Sequence, residues 1–362
     1  MRFVLRVDAS PKIGTGHMIR CLTLADDLSS RGTECYFVCR ETLGLEQDIL
    51  GRGYSVDVLS TSDIEVEVAV RGLPHSDWLA VDQETDAQQT QALLEKNPVD
   101  WLVVDHYALD HRWESLMRSL YKKILVIDDL ADRQHDCDLL LDQNFGSSAA
   151  RYHQLVPDHC IQLHGPANAL LKPVYAEFKA KRRERSGGLK RVLVYFGGGS
   201  DPNDLTGTAL AALTSAELCE LTVDVVVGSA YAHAAKLERT AGLRGGVTIH
   251  TQLPDLAELM FKADLAIGAG GATTWERCCL GLPSIVISVA QNQLPACRAL
   301  QNAGVIDYVG EASDVSVDEL VQRIRVFMKN PQELTEMSKR ASLLVDGLGT
   351  RRVVDAMLAL GN

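Results

Sequence analysis

Short apolar runs alternate with stretches of helical periodicity along most of the chain, a pattern typical of β-α-β units. In the first half the apolar runs predict strands at 3–7, 34–39, 55–59, 101–105 and 123–128, with short edge strands at 139–141 and 160–163. The periodic stretches predict helices at 18–31, 43–51, 86–96 and 113–121. Because β-α-β units build parallel sheets that are covered on both faces, this half predicts a doubly wound α/β domain.

The second half repeats the alternation after a charged, glycine-containing stretch. Strands are predicted at 191–196, 221–227, 247–250, 265–268 and 284–288, and helices at 203–213, 230–241, 256–263, 275–280 and 293–303. We therefore expect a first domain at 1–178, a linker at 179–190 and a second domain at 191–362, whose last helix is free to pack back on the first domain. Ligands of two such domains are expected where the carboxyl ends of their strands face each other across a cleft.

Composition and charge narrow the class of protein. The chain has 362 residues, 46% of them hydrophobic and 23% charged, with a formal net charge of −12. These values are typical of a two-domain globular enzyme, and the acidic balance argues against a nucleic-acid partner or an anionic membrane. Arg6 and Asp8 interrupt the first apolar run, which therefore does not predict a signal peptide. We expect a cytoplasmic monomer without a membrane partner.

Metal and cofactor chemistry has little support in the sequence. The nine cysteines form no pair of CxxC units, and Cys21, Cys35, Cys39 and Cys219 lie within apolar patterns that predict buried thiols. Asp136-Cys137-Asp138, next to His135, formally matches the DxD motif that binds divalent ions. The motif runs directly into the apolar residues 139–141, which favours a structural role at a strand entry. We expect no metal and no cofactor.

The first candidate site follows the first predicted strand. Gly14, Thr15, Gly16 and His17 form a glycine turn that leads into a helix, and this geometry brings free N–H groups and the positive helix end close to a ligand. An imidazole at such a junction suits proton transfer. The same position also suits a histidine that only caps the helix, so both interpretations stay open at this point.

The second candidate site is the glycine-rich turn after the predicted strand 265–268. Gly271, Ala272, Thr273 and Thr274 offer N–H and hydroxyl donors to a diphosphate at the start of a helix. Glu276 has two acceptor oxygens, which suit the two hydroxyls of a ribose. Alternatively, Glu276 is a first-turn charge that complements the helix dipole.

Several separated motifs together resemble known families. Residues from Gly268 to Gly281-Leu282-Pro283, with Gln291-Asn292-Gln293 and Ala303-Gly304, resemble the nucleotide-binding half of the bacterial lipid II synthase glycosyltransferases, which have the GT-B fold. The first half more narrowly resembles the UDP-2,4-diacetamido-2,4,6-trideoxy-β-L-altropyranose hydrolase family of pseudaminic acid synthesis. The motifs that carry this resemblance are Gly14-Thr15-Gly16-His17-Met18-Ile19-Arg20, Val104-Asp105-His106-Tyr107, Ile127-Asp128-Asp129-Leu130-Ala131-Asp132-Arg133, His135 to Asn144 and Gly165-Pro166.

The resemblance implies hydrolysis of the anomeric C–O bond of a UDP-sugar, with inversion and release of UDP, on two Rossmann-like domains. UDP would bind mainly to the second domain, with the sugar facing the first. The implied catalytic residues are His17 as the base, Tyr107 as a donor or water-positioning group, and Asn292 as a partner for an acetamido or hydroxyl group. Further substrate contacts are expected from Asp105, Gly198 and Gln293.

Three other functions remain open from the sequence. The first is a GT-B glycosyltransferase that passes a UDP-activated amino sugar to an acceptor, and the others are a UDP-sugar hydrolysing 2-epimerase and a non-catalytic nucleotide-sugar binding module. A membrane-bound acceptor would require an apolar and basic patch on the first domain. Residues 60–100 are instead acidic, through Glu65, Glu67, Asp77, Asp82, Glu84 and Asp86.

Overall fold

The protein divides into two compact units. The computed structural model describes residues 1–61, 73–95, 98–181, 183–185, 187–251 and 253–361. The first unit comprises Met1–Leu170 and Gly349–Asn362, and the second comprises Leu171–Leu348. Two of the acidic residues that the sequence analysis singles out, Glu65 and Glu67, lie outside the described residues.

The first unit is built on a seven-stranded parallel sheet. Its strand order is β3-β2-β1-β4-β5-β6-β7, and every neighbouring pair is parallel, as the alternation predicts. The strands are β1 (Arg2–Val7), β2 (Glu34–Cys39), β3 (Ser55–Val58), β4 (Val99–Asp105), β5 (Tyr121–Ile127), β6 (Leu139–Asp142) and β7 (Ile161–His164). The α-helices of the amino-terminal part are α1 (Gly16–Ser30), α2 (Glu46–Gly51), α3 (Gln83–Leu94) and α4 (His111–Leu116).

Short 3-10 helices join these elements at Ser76–Trp78, Arg118–Leu120, Ala149–Tyr152 and Pro166–Asn168. Apolar side chains on both faces of the sheet are fully buried, with Leu22 and Leu28 of α1 on one face and Trp113 of α4 on the other. The sheet is therefore doubly wound, and burial on both faces explains why its strands read as continuous apolar runs.

The second unit has a six-stranded parallel sheet in the order β10-β9-β8-β11-β12-β13. Its strands are β8 (Arg191–Tyr195), β9 (Thr222–Val227), β10 (Val247–Thr251), β11 (Leu265–Ala269), β12 (Ser284–Ser288) and β13 (Asp307–Glu311). Its helices are α5 (Pro173–Ala180), α6 (Leu205–Leu213), α7 (Ala234–Arg244), α8 (Ala257–Lys262), α9 (Thr273–Cys279), α10 (Leu294–Asn302), α11 (Val317–Lys329) and α12 (Pro331–Leu344), with a 3-10 helix at Gln291–Gln293. Strand β13 and helices α11 and α12 lie beyond the last element that the sequence analysis predicts.

The last helix, α13 (Gly349–Gly361), belongs to the first unit. Val353, Val354 and Met357 are fully buried in the core that also contains α1. The structure thus divides the chain after Leu170 and before Gly349, whereas the sequence analysis expects the first domain to end at 178 and leaves the last helix free to pack back on it. None of the helices in the described part of the chain has the length and apolar character needed to cross a membrane.

Lys179 and Arg185 of the predicted linker 179–190 are bonded into the second unit. Helix α5 packs against α8 and α9, and Lys179 at its end donates to the carbonyls of Cys279, Ser342 and Val345 at distances of 2.7–3.1 Å. Arg185 donates in the same way to the carbonyls of Met260, Ala263, Leu280 and Gly281. These carbonyls lie at or just beyond the carboxyl ends of α8, α9 and α12. Cations are favourable at helix carboxyl ends, so the basic run joins three helices.

Candidate functional site

The turn between β1 and α1 presents unpaired backbone donors. Gly14 has φ 77°, a left-handed conformation that favours glycine, and its N–H closes the turn on the Ser10 carbonyl at 2.7 Å. Thr15 is the N-cap of α1 and makes no side-chain capping bond. In the part of the chain that the structure describes, the N–H groups of Thr15, Gly16 and His17 have no recorded acceptor. The start of α1 therefore offers donors and the positive end of a fifteen-residue helix.

His17 is bonded to the end of the neighbouring strand. Its Nδ1 lies 2.6 Å from Oδ1 of Asp105, the last residue of β4, which pairs with Val7 at the end of β1. Both side chains are buried, and Asp105 is only 1% exposed. Because Thr15 occupies the N-cap, His17 does not cap α1. A carboxylate only accepts hydrogen bonds, so Nδ1 of His17 carries the hydrogen and Nε2 is left as an acceptor.

Arg20 also holds Asp105, and its Nη2 lies 3.2 Å from Nδ1 of His17. Its Nε donates to Oδ2 and its Nη2 to Oδ1 of Asp105, both at 2.6 Å, in a bidentate pair. Burial alone would raise the pKa of the Asp105 carboxyl, but the charge and hydrogen bonds of Arg20 hold that pKa well below its usual range. Asp105 is therefore a permanent anion that orients the His17 ring and stabilises a positive charge on it.

Tyr107 lies beside the imidazole. Its ring centroid is 4.7 Å from that of His17 in an edge-on arrangement, and its hydroxyl donates to Asp129, just after β5. Burial and the Asp129 charge raise the pKa of Tyr107 well above its ordinary value. The phenol is therefore neutral, and its hydrogen is already directed at Asp129. Tyr107 can therefore accept a hydrogen bond from a ligand or from water, and of the two roles given in the sequence analysis this arrangement favours positioning of the water over donation to a sugar hydroxyl.

The second glycine turn joins β11 to α9. In the described part of the chain, the N–H groups of Gly271, Ala272 and Thr273 have no recorded acceptor, and Ala272 is exposed. A Cβ on Gly270 would lie 2.3 Å from Sγ of Cys297, so only glycine fits the backbone there. The side chain of Gln293 packs beside this turn, with its Oε1 accepting from the Val289 N–H at 3.0 Å. The turn thus has free donors and a tightly packed underside.

Thr274 and Arg277 lie beneath the turn. Thr274 is 2% exposed, and its hydroxyl accepts from Nη2 of Arg277 at 3.0 Å, so it faces inward while Thr273 remains partly exposed. Arg277 is also 2% exposed and donates to the Ala269 carbonyl at 2.8 Å. Burial lowers the pKa of Arg277, and within the described residues its Nε has no acceptor. An incompletely compensated cation therefore lies below the free N–H groups.

Glu276 has an unpartnered oxygen. Burial raises the pKa of its carboxyl to about 7. The Tyr175 phenol, which lies within hydrogen-bonding reach, and the charge of Lys172 both act to lower this pKa but do not cancel the effect of burial. Its Oε2 is buried and has no hydrogen-bond partner among the described residues. A buried acceptor without a donor is costly unless a ligand supplies one. Glu276 is also in the first turn of α9, so its interaction with the helix dipole applies as well.

The remaining predicted residues lie at the same edge of the second sheet. Gly198 follows β8, and its carbonyl is so close to Gly228 that a Cβ on the latter would lie 1.9 Å away. Asn292 and Gln293 are in the 3-10 helix after β12, and Asn292 is partly exposed. The structure therefore collects His17, Asp105 and Tyr107 at the carboxyl edge of one sheet, and Gly198, residues 271–276, Asn292 and Gln293 at the carboxyl edge of the other.

Three residues of these sites have no role in the sequence analysis. Arg20 is three positions after His17 on α1, and this spacing puts both on one helix face, which is a usable signal. Asp129 follows the end of β5, so the rule that places ligands at strand ends also indicates it. Arg277 gives no such signal, because its burial depends on packing around α9.

The DxD motif has structural contacts. Asp138 accepts from the Ile124 N–H at 3.0 Å and from Lys123 at 2.9 Å, which fixes the entry to β6. Across the described ranges, no group of three or more His, Cys, Asp or Glu side chains is arranged to hold a metal ion. Cys21, Cys35 and Cys39 are buried as predicted, but Cys219 is exposed, because it follows α6 in a surface turn.

The amino-acid sequence of the chain is similar to one protein-family domain and to several known proteins. Residues 192–351 match the glycosyltransferase family 28 C-terminal domain. The spore coat polysaccharide biosynthesis protein SpsG of Bacillus subtilis is 31% identical over 195 residues, 52% of this chain and 56% of that protein. The UDP-2,4-diacetamido-2,4,6-trideoxy-beta-L-altropyranose hydrolase of Campylobacter jejuni is 24% identical over 295 residues, 81% of this chain and 93% of the hydrolase. The chain also matches an uncharacterized protein, MJ1062, of Methanocaldococcus jannaschii, and spans 56% of its length, as it does of SpsG.

Solved structures show the fold. Acinetobacter baumannii MurG superposes with a TM-score of 0.65 at 18% identity, covering 99% of this chain and 100% of MurG. Os79 from O. sativa, solved in complex with U2F and trichothecene, has a TM-score of 0.69 at 14% identity, with 100% of both chains covered. The predicted α/β fold of GT-B type, with two Rossmann-like domains, is thereby confirmed. The sequence matches support a place for the chain among GT-B glycosyltransferase-like proteins.

Proposed function

We propose that the protein is a UDP-sugar hydrolase that cleaves the anomeric C–O bond of UDP-2,4-diacetamido-2,4,6-trideoxy-β-L-altropyranose. The products would be UDP and the free sugar, with the anomeric configuration inverted. The proposal is supported by the likeness to the Campylobacter hydrolase, which extends over 93% of that enzyme, and by the GT-B fold. A function in making a surface glycan is in keeping with this substrate.

The observation that carries the proposal is the His17–Asp105–Arg20 arrangement. With Nδ1 bonded to Asp105, Nε2 of His17 is the nitrogen that accepts a proton from water. Water attacks the anomeric carbon, its proton passes to Nε2, and the C–O bond to the β-phosphate breaks with the electron pair remaining on UDP. Asp105 stabilises the imidazolium that forms, and Arg20 keeps Asp105 ionised.

The second unit would bind the UDP part of the substrate. The free N–H groups of Gly271, Ala272 and Thr273 are donors for the diphosphate, and the Arg277 charge beneath them favours an anion at the same place. The unpartnered Oε2 of Glu276 is an acceptor for a ribose hydroxyl. Tyr107, Asn292, Gly198 and Gln293 remain proposed substrate contacts.

The test is product analysis in oxygen-18 water with the altro and gluco isomers of UDP-diacetamido-trideoxyhexose. We expect turnover of the altro isomer, oxygen-18 on the sugar, and an inverted anomeric signal in an NMR spectrum recorded before mutarotation. Oxygen-18 on the UDP phosphate would mean attack at phosphorus and would overturn the mechanism. Turnover of the gluco isomer alone would overturn the assigned sugar.

A glycosyltransferase is the second candidate, and the match of residues 192–351 to the family 28 C-terminal domain favours it. In that case UDP release from the same substrate would be slow in water and strongly accelerated by an acceptor alcohol or glycan. Release at full rate without an acceptor favours the hydrolase. Running the reaction in deuterated water separates a hydrolysing 2-epimerase, since only that enzyme would exchange the hydrogen at C2.

A further inference from the structure

A cluster of aromatic rings lies against the proposed catalytic residues. We call His75, Trp78 and Tyr107 the aromatic wall. Trp78 stacks on Tyr107 with centroids 5.3 Å apart and planes at 30°, and His75 lies 4.5 Å from Trp78 and 5.4 Å from Tyr107. The centroid of Trp78 is also 6.4 Å from that of His17, edge-on. The wall therefore borders the imidazole that the proposed reaction uses.

An exposed ion pair links the helix that carries Trp78 to the first glycine turn. Trp78 ends the 3-10 helix Ser76–Trp78, and Asp77 in that helix accepts from Lys12 of the turn at 2.9 Å. The guanidinium carbon of Arg133 lies 5.7 Å from the Tyr107 ring centroid, which adds a cation–π contact. These contacts connect the wall to the turn that leads into α1 and to Arg133.

Trp78 differs from the other tryptophans of the chain. Trp101 and Trp113 are fully buried and Trp275 is 4% exposed, whereas Trp78 and His75 are both partly exposed. Indole is large and apolar, and its exposure next to polar catalytic groups leaves apolar surface in water. Ligand sites commonly combine such an apolar wall with a few polar groups that fix orientation.

We propose that Trp78, supported by His75, contacts the apolar C–H surface and methyl groups of the bound sugar and so determines which sugar is accepted. This inference rests on the proposed function. In this sugar C6 is a methyl group rather than a hydroxymethyl group, and the two acetamido groups add two more methyls. It therefore presents more apolar surface than a common hexose. The exposed parts of Trp78 and His75 match that surface, while Thr15 to His17 and the hydroxyl of Tyr107 meet the polar groups.

The first test uses tryptophan fluorescence, which does not depend on turnover. The His17→Asn protein is titrated with the UDP-diacetamido-trideoxyhexose, with the free sugar and with UDP alone, and compared with His17→Asn/Trp78→Phe. We expect the sugar-containing ligands to shift the emission of the first protein, and the Trp78→Phe change to remove this shift. UDP alone should give the same signal in both proteins, because any response then comes from the buried tryptophans, including Trp275 in α9.

The second test is kinetic. Trp78→Leu should raise KM for the 6-deoxy substrate about tenfold relative to its 6-hydroxy analogue, since an apolar pocket discriminates against an added hydroxyl by about 100-fold at most. Trp78→Phe should restore much of the preference, and the Kd for UDP should not change. Thermal unfolding of each variant separates a loss of contact from a loss of folding.

The outcomes distinguish the two proposals. If calorimetry detects binding of the UDP-sugar but Trp78 emission does not change, the aromatic wall does not contact the sugar and this inference is overturned. The hydrolysis can still be correct in that case. If the sugar is bound at Trp78 but no isotope enters the product of the wild-type protein, the wall stands and the hydrolase proposal fails. Equal discrimination by Trp78→Leu and wild type would also overturn the inference.

Discussion

The two units treat their buried cations differently. In the first unit the buried arginines lie within 3.0 Å of carboxylates: Arg6 with Asp8 and Asp86, Arg20 with Asp105, Arg40 with Asp86, and Arg133 with Asp128. In the second unit Arg185 and Arg277 donate to carbonyls and a hydroxyl, and within the described residues neither has a carboxylate at ion-pair distance. Burial lowers the pKa of both.

This difference indicates a division of labour. A carboxylate that is fixed by an arginine cannot move or take up a proton easily, so the first unit holds the His17 ring in one orientation. An uncompensated cation costs free energy until an anion approaches, so the second unit is suited to a ligand that arrives with negative charge. One unit is organised around a group that reacts, and the other around a group that binds.

The largest expected effect is on the reacting group. His17→Asn should lower kcat by about 10² to 10⁴ while the Kd for UDP stays the same, because it removes the proton acceptor from the first unit only. Stopped assays of UDP release and calorimetry with UDP measure the two quantities. His250→Asn is the matched control, since it breaks another histidine–aspartate pair, with Asp224, in the second unit. A similar loss of kcat in both variants would contradict the division.

The next effect is on the carboxylate that orients the ring. Arg20→Met should lower the free energy of unfolding at pH 7 by about 3–5 kcal/mol, because it removes the bidentate cation from the buried Asp105 carboxylate and leaves His17 as its charged or hydrogen-bonding partner. In the wild-type protein the pKa of Asp105 is lower in the folded state than in the unfolded state. This difference stabilises the folded state above the pH at which the unfolded carboxyl titrates, and the stabilisation is lost as the pH falls through the pKa of the folded state. Without Arg20 only the effect of His17 opposes the effect of burial, so the pKa of Asp105 should rise and the deficit in stability should shrink as the pH is lowered to 5.

Urea unfolding at both pH values measures this prediction. The control is Lys122→Met, which removes a largely exposed pair with Asp100 and should cost less than about 1 kcal/mol at either pH. A deficit for Arg20→Met that is equal at pH 7 and pH 5 would show that lost packing, rather than the charge on Asp105, is responsible.

A smaller effect is expected at the binding site. Glu276→Gln should raise the Kd for UDP and the KM for the UDP-sugar about tenfold with little change in kcat, the pattern of an interaction shared by ground and transition states. Because burial raises the pKa of Glu276 to about 7, the wild-type protein should bind UDP more weakly as the pH falls from 8 to 6. The variant should show only the titration of UDP itself.

Calorimetry across this pH range tests the assignment of Glu276. Glu258→Gln, which changes an exposed carboxylate paired with Lys262 in the same unit, is the control and should behave like the wild type. A large fall in the kcat of Glu276→Gln with unchanged UDP affinity would show that Glu276 takes part in the reaction rather than in binding. It would also weaken the contrast between the units.

The smallest expected effect is that of chelation. EDTA should leave kcat and KM within about twofold, because backbone N–H groups and Arg277 are proposed to hold the diphosphate. A full loss of activity on chelation that magnesium or manganese restores would show that a metal cation also helps to hold the diphosphate. The second unit would then depend on an added ion as well as on its own buried charge.

The alternation of apolar runs with stretches of helical periodicity predicts much of the fold. Strands that are buried on both faces of a sheet give continuous apolar runs, which can be recognised locally in the sequence. Helix starts were less exact, since α7 begins at Ala234 rather than 230, and α2 at Glu46 rather than 43. The boundary between the units could not be read locally. The sequence analysis leaves the last helix free to pack back on the first domain, but no local pattern decides between the two cores.

The candidate site follows the same rule. His17, Asp105 and Tyr107 were predictable because parallel strands end at one edge. The directions of their hydrogen bonds could not be predicted, because the Tyr107 hydroxyl reaches Asp129 only through the pairing of β4 with β5. In the same way Thr274 turns inward because Arg277 lies beneath it.

The placement of α13 has a consequence for synthesis on the ribosome. The second unit is one continuous stretch, Leu171–Leu348, inserted into a first unit whose core includes Val353 and Met357. A growing chain therefore completes the seven strands of the first sheet before α13, which covers one face together with α1, has been translated. The inserted unit can complete its fold first, and the nascent first unit must keep an apolar face uncovered, or protected by a chaperone, until the last helix emerges.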